Sequence, residues 1–188
     1  MNENKVIFLD FDGVINDYFT FDSVNDYNVS ILKKIIEKTE AKIVVTSSNK
    51  YAFQRNNKLQ NNQNRIYTEY IKELNQKGIK VSGFTPYVNG NREDEILKYL
   101  EMHPKIEQYL IIDDDYIIES CKDHEIYLDL QSGLREKNLI PALNILEGNL
   151  SFYSDYENIN ETPEERCIRM NKKINECKRK KCSEDIER

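Results

Sequence analysis

Asp10 and Asp12 stand two residues apart directly after the apolar run Val6-Ile7-Phe8-Leu9, and Gly13 follows at once. Such a run, bounded by turn residues, reads as a strand buried in a parallel sheet. Strand side chains alternate, so carboxyls spaced i, i+2 share one side where the strand gives way to a loop. Gly13 lets the backbone turn sharply just after them. The pattern recurs twice. Residues 41–45, apolar apart from Lys42, lead into Thr46, Ser47 and Ser48, and residues 109–112 lead into Asp113, Asp114 and Asp115. Parallel strands bring such ends to one edge of a sheet, where open α/β folds keep their active sites.

The set has a chemical logic. Clustered carboxylates repel one another unless a cation sits among them. Oxygen donors without His or Cys favour a hard ion, most simply Mg²⁺, which is commonly held by one or two carboxylates plus substrate phosphate. Hydroxyls of Thr46 or Ser47 can donate to phosphoryl oxygens. Arg92, ahead of the acidic triplet, adds positive charge. Phosphoryl transfer needs this mixture of positioning and electrostatics. Two plainer readings compete. Asp and Gly also end ordinary strands. A calcium loop needs a ligand at its fifth position, Gly at the sixth and Glu at the twelfth. Counted from Asp10, the chain has Gly13 at the fourth, Val14 at the fifth and Phe21 at the twelfth, which excludes an EF-hand.

Strand and helix patterns alternate around these residues. We read strands at 5–9, 41–45, 79–84, 109–112 and a last one at 126–128. Helical stripes run through Val29, Leu32, Ile35 and Ile36, through Tyr67, Tyr70, Ile71 and Leu74 towards a stop at Gly78, and through residues 139–146. Another helix opens at Asn91-Arg92-Glu93-Asp94 with Ile96, Leu97 and Leu100 inward, its early acids suiting the helix dipole. This order predicts an α/β fold with a central parallel sheet flanked by helices. Residues 17–28 read as a loop or flap carrying Tyr18, Phe19 and Phe21.

The chain has 188 residues and a net charge of −6. We divide it into a catalytic domain at 1–150 and a charged helical extension at 151–188, with Thr162 as a helix cap and Pro163 after it. Residues 161–188 hold nine Lys or Arg against seven acids, which leaves 18 bases and 26 acids for residues 1–160. That balance argues against a general nucleic-acid binder. The Lys178-Arg179-Lys180-Lys181 run reads as a solvated face. The Met-Asn-Glu-Asn start lacks the apolar core of an export signal, and no apolar run is long enough to span a membrane, so we expect a soluble, cytoplasmic chain. A dedicated secretion system reading other signals stays open. Cys121, Cys167, Cys177 and Cys182 form no C-x-x-C pair, and Cys121-x-x-His124 is only a fragment of a zinc spacing. His103 and His124 read as structural or exposed, and Asp115 as a cap.

Taken together, Asp10-Phe11-Asp12-Gly13-Val14, Thr46 after Ile43-Val44-Val45, Arg92 and Asp113-Asp114 resemble the four ordered motifs of the haloacid dehalogenase (HAD) superfamily. Within it, the chain is similar to the HAD domain of Swiss Army Knife RNA repair proteins in Ser47-Ser48, in Arg92 with Ile96 and in Gly133-Leu134. It departs at Asn49-Lys50, where that group tends to have Trp-Arg. The resemblance implies a Rossmann-like fold and a Mg²⁺-dependent phosphatase. Asp10 would be the nucleophile and Asp12 the general acid and base. Asp10, the Asp12 carbonyl and a motif IV acid would hold the metal, with Asp114 preferred to Asp113. Thr46, or its rival Ser47, would bind the phosphoryl group. Arg92 would stabilise its charge, with Lys98 and Lys50 as rivals. The gaps at 13–42 and 47–91 leave no room for a large cap. An open site suits a phosphorylated macromolecule, and the acidic charge favours a phosphoprotein over a nucleic-acid end. A catalytically silent HAD-like interaction module is the reading from a different class.

Overall fold

The computed structural model describes residues 4–17, 20, 23–47, 50, 62–115 and 117–155, with the backbone alone for 62–67. The aromatic residues Tyr18, Phe19 and Phe21, the hydroxyl of Ser48, three of the four cysteines and the charged extension beyond Asp155 lie outside the described residues.

Six parallel strands form one sheet in the order β3-β2-β1-β4-β5-β6. They are β1 (Lys5–Leu9), β2 (Lys42–Val45), β3 (Val81–Phe84), β4 (Gln108–Asp113), β5 (Glu125–Tyr127) and β6 (Tyr153–Ser154). Among the described residues, four α-helices connect them: α1 (Asp26–Thr39), α2 (Asn62–Gln76), α3 (Arg92–Met102) and α4 (Leu139–Leu146). Short 3₁₀ turns cover Glu119–His124 and Glu136–Asn138.

Side-chain alternation explains why both faces are covered. Ile7 and Leu9 of β1, Ile43 and Val45 of β2, and Leu110 and Ile112 of β4 point into one core with Leu32, Ile35, Tyr70, Leu74 and Ile145 from α1, α2 and α4. Val6, Phe8, Val44 and Ile111, the residues between them, point into a second core with Ile96 of α3, Ile118 and Cys121. Each large aliphatic side chain so buried contributes roughly 1.5–3 kcal/mol. A central parallel strand is therefore apolar wherever both its faces are covered, as β1 is from Val6 to Leu9.

Strand ends shift by one or two residues from the expected ones, and the structure departs further at α3 and at the last strand. Leu97 is exposed, so α3 turns Ile96 inward and Leu97 to solvent. The last strand is β6 rather than β5. Tyr153 pairs with Ile126, and Ser154 with Tyr127, so two residues assigned to the extension by sequence belong to the sheet. Two polar-flanked residues carry too little periodicity to announce a strand. Among the described residues, no helix is long and apolar enough to cross a membrane.

The strand order also fixes where a site can form. The chain lays down β1, β2 and β3 in one direction, then crosses back to place β4 on the other side of β1. Connections leave β1 and β4 to opposite sides, and the crevice between their carboxyl ends is the place where such sheets bind ligands.

Candidate active site

Register brings the predicted residues level. Leu9 pairs with Val45 on one side and with Ile112 on the other. The next residues of the three strands are Thr46, Asp10 and Asp113. The ladder continues past the strand ends, since the Asp10 amide donates to the Ile112 carbonyl at 3.1 Å and the Thr46 amide to the Leu9 carbonyl at 2.9 Å. Asp10 and Thr46 are thus held by backbone bonds rather than by loop conformation.

Asp10, Asp113 and Asp114 each offer a carboxyl oxygen, and these oxygens all lie within 4.8 Å of one another. All three residues are buried. Gly13 makes the crowding possible. Its φ is +68°, and a Cβ built there would stand 2.3 Å from the Asp114 carboxyl, so only glycine fits both the turn and the acid facing it. The same turn is closed by the Val14 and Ile15 amides, both donating to the Phe11 carbonyl.

Arg92 enters from the first residue of α3. Its guanidinium lies 3.3 Å from Asp10 Oδ2 and donates to Asp113 Oδ2. The other Asp113 oxygen accepts from the Asp115 amide at 2.8 Å. Asn91 caps the helix by accepting from the Asp94 amide, which sets the helix start and hence the reach of Arg92. The paired acids push the Arg92 guanidinium further into its charged form, against the cost of its burial.

Two polar atoms at the site have no partner among the described residues although both are buried: Asp10 Oδ1 and the Thr46 hydroxyl. Burial raises the Asp10 carboxyl to about 6; Arg92 opposes that rise, and Asp113 and Asp12 add to it. Buried orphan oxygens are costly in a protein interior, and they cluster where a ligand or ion supplies the missing bond. The donor set is all oxygen, which fits a hard divalent cation.

The other expected residues divide. Ser47 is buried beside Thr46, and its carbonyl accepts from the Lys50 amide. Asp12 stands at the turn, where Asn16 Nδ2 donates to its Oδ1 at 3.1 Å. Asp115 is exposed and outside the cluster. Lys98 pairs with Glu101 on the exposed face of α3, which removes it as a rival to Arg92. Lys50 is buried; its ammonium donates to Glu95 Oε2 at 2.5 Å and to the Thr46 carbonyl at 3.0 Å. Burial lowers the Lys50 pKa, and the bond to Glu95 opposes that fall. His103 and His124 stack on Tyr99 and Tyr109, at 4.0 and 3.8 Å between ring centroids, and Cys121 is a free thiol buried in the second core. Among the described residues, Cys121 and His124 belong to no cluster of three or more metal-ligating side chains.

With the geometry established, comparison with known families is decisive. A family model described as the HAD domain in Swiss Army Knife RNA repair proteins matches residues 6–139 of the chain. The chain belongs to this family. Its match spans the sheet from β1 to the start of α4, including every acid of the cluster, Arg92 and the Gly133 loop. The HAD domain therefore has the six-stranded, all-parallel, Rossmann-like sheet, and its general kind is a phosphatase with an acidic aspartate cluster. No curated protein matches the chain.

Sequence reasoning missed three participants. Glu95 and Asn16 are fully or nearly fully buried polar groups, and Asn28 clasps the turn by donating to the Val14 and Asn16 carbonyls. The signal for Asn16 was a polar residue directly after Val14-Ile15, at helical spacing from Asp12. The Gly133-Leu134 pair was read only as a likeness to the family. Its place is now clear: Leu134 donates to the Val14 carbonyl, and a Cβ at Gly133 would stand 2.2 Å from Asn28 Nδ2.

Proposed function

We propose that this HAD domain is a metal-dependent phosphomonoester hydrolase working through an aspartyl-phosphate on Asp10. The observation that supports it most is the convergence of Asp10, Asp113 and Asp114 with one Asp10 oxygen left unpartnered in a buried place. Among the described residues, four acids, counting Asp12, stand at the site with the Arg92 guanidinium, while Lys50 is paired with Glu95. That imbalance calls for a cation.

In the first step an Asp10 oxygen attacks phosphorus, the bond from phosphorus to the leaving oxygen breaks, and Asp12 supplies the proton to that oxygen. In the second, water attacks phosphorus, Asp12 takes its proton, and the Asp10 carboxylate is restored as phosphate leaves. The Thr46 hydroxyl, with Ser47 next to it, donates to the phosphoryl oxygens. Arg92 holds Asp10 in place and adds positive charge at the phosphoryl group. Asp10, the Asp12 carbonyl and Asp114 would hold Mg²⁺, which would supply the charge that offsets the approaching phosphate. Both Asp113 oxygens are engaged by Arg92 and the Asp115 amide, which favours Asp114 as the direct ligand and Asp113 as the group that orients Arg92.

The substrate has two readings, each with its own support. The acidic balance of residues 1–160 favours a phosphoprotein, carrying phosphotyrosine or phosphoserine. The family match to RNA repair proteins favours a phosphorylated nucleic-acid end. A panel of phosphopeptides beside 3′- and 5′-phosphorylated oligonucleotides separates them by relative kcat/KM.

The hydrolase reading itself is tested with a generic aryl phosphate. We expect turnover with Mg²⁺, loss of turnover in EDTA, and at least a thousandfold lower kcat for Asp10→Asn, as for loss of an essential nucleophile. Undiminished turnover by Asp10→Asn would remove Asp10 as nucleophile. An inert parent protein would leave the interaction module.

A further inference from the structure

The turn that carries Asp12 contains a fully buried asparagine bonded on every side. Asn16 Oδ1 accepts from the Gly13 amide at 2.7 Å. A backbone N–H can only donate, so this bond fixes which end of the Asn16 amide is oxygen. The nitrogen end then points two ways. It donates to Asp12 Oδ1 at 3.1 Å and to the Tyr70 hydroxyl oxygen at 2.9 Å. Tyr70 comes from α2, far along the chain, and is fully buried. Its ring stands edge-on to Phe11, 5.8 Å between centroids at 86°. Phe11 lies between the two aspartates in sequence, so α2 reaches the Asp10-Phe11-Asp12 segment through both a ring contact and a hydrogen bond.

The turn is closed by the Val14 and Ile15 amides on the Phe11 carbonyl and by the Gly13 bond to Asn16. The Asp12 and Tyr70 bonds go beyond it, and they act on the one motif I acid that is not fully buried. A carboxyl at a partly exposed turn samples several rotamers, and a general acid works only from the one within reach of the leaving oxygen. We propose that Asn16 is a positioning residue for Asp12, holding its carboxyl in the working rotamer, and that Tyr70 holds the Asn16 amide in turn. The proposal rests on the hydrolase reading, in which Asp12 hands a proton to the leaving oxygen. It adds that the quality of this proton transfer is set from α2.

Leaving-group dependence tests this. The ratio kcat/KM reports steps up to departure of the leaving group, so hydrolysis of the aspartyl-phosphate does not enter it. With Mg²⁺ present, kcat/KM is measured for 4-nitrophenyl, phenyl and propyl phosphate. A nitrophenolate leaves without a proton; a propoxide needs one. General-acid contributions run to about 10²–10⁴-fold. We expect Asn16→Ala to lower kcat/KM for propyl phosphate by about 10²-fold and for 4-nitrophenyl phosphate by under about fivefold. Tyr70→Phe keeps the ring and removes one oxygen; we expect the same pattern at about tenfold for propyl phosphate. A loss of equal size for all three esters would show that Asn16 merely supports the fold, and would overturn the proposal. If Asn16→Ala does not fold, Tyr70→Phe carries the test alone, and an unchanged leaving-group dependence overturns it. A parent protein inert towards all three esters removes the hydrolase reading and this proposal together, whereas an active parent with uniformly slowed variants removes only the proposal.

Discussion

Two buried carboxyls on nearby strands meet opposite fates. Asp10, at the end of β1, has a guanidinium at 3.3 Å and other acids within a few ångströms. Glu125, on β5, is fully buried on the α3 face of the sheet, with one oxygen accepting from the Ile118 amide at 2.8 Å and the other unpartnered among the described residues. Burial raises both, Asp10 to about 6 and Glu125 to about 8. The difference is Arg92, which offsets part of the Asp10 shift. The site carboxyl stays close to ionisation and ready for a cation, whereas Glu125 is held as the neutral acid at neutral pH. Burial alone makes a carboxyl inert, and burial beside a fixed cation keeps it usable.

Removing that cation should break the contrast most strongly. Arg92→Ala leaves Asp10 and Asp113 buried without their counter-charge, and breaking a buried pair from one side costs about 3–5 kcal/mol. We expect a loss of this order in urea unfolding at pH 8 without metal, above the value of about 6 to which burial raises Asp10. The loss should shrink at pH 5, because Asp10 can then take a proton. An equal loss at both values would mean that Arg92 acts through packing.

A divalent ion should sharpen the contrast from the other side, with a somewhat smaller effect. An ion that binds only the folded chain stabilises it by about 2.7 kcal/mol at a hundred times its dissociation constant. We expect Mg²⁺ to raise the melting temperature and EDTA to reverse the rise. Asp114→Asn should abolish the Mg²⁺-dependent rise, while Glu125→Gln should leave it intact. An unchanged Mg²⁺ response in Asp114→Asn would argue that Asp114 is not a ligand.

The same contrast explains what could be read from the chain. Apolar runs ending in acids or hydroxyls displayed β1, β2 and β4 because the doubly covered middle of a parallel strand is apolar and gives way to polar residues at its end. Asp10, Thr46, Arg92 and Asp113 therefore stood out by position. Glu125 did not, because an acid beside Ile126 looks like an ordinary strand start, and only the folded chain shows it buried under the Ile118 amide. Lys50 and Glu95 are matched across 45 residues, and Asn16 and Tyr70 across 54. Such pairs exist only after the sheet has brought their elements together, so no local spacing announces them. The two-residue strand β6 escaped for the opposite reason, having too few residues to show a period.

The smallest effect concerns Glu125 itself and depends on pH. A carboxyl raised from 4.5 to about 8 on folding keeps its proton in the folded chain after the unfolded chain has lost it. Between those values the unfolded state binds fewer protons, so stability falls as pH rises, and it levels off above about 8. Below pH 4.5 both states are protonated and Glu125 contributes no dependence. Asp10 has the same sign but completes its share near pH 6. The slope between pH 6.5 and 8 that differs between parent and Glu125→Gln therefore belongs to Glu125, with the charges of Asp113, Glu119 and Lys122 common to both proteins. We expect Glu125→Gln, measured by urea unfolding in EDTA, to gain on the parent steadily across that window, because glutamine keeps an acceptor for the Ile118 amide and never ionises. The gain should be negligible near pH 4. A constant offset from pH 4 to pH 8 would mean that Glu125 titrates alike in the folded and unfolded chain and is ionised at neutral pH, so that burial does not hold the β5 carboxyl neutral.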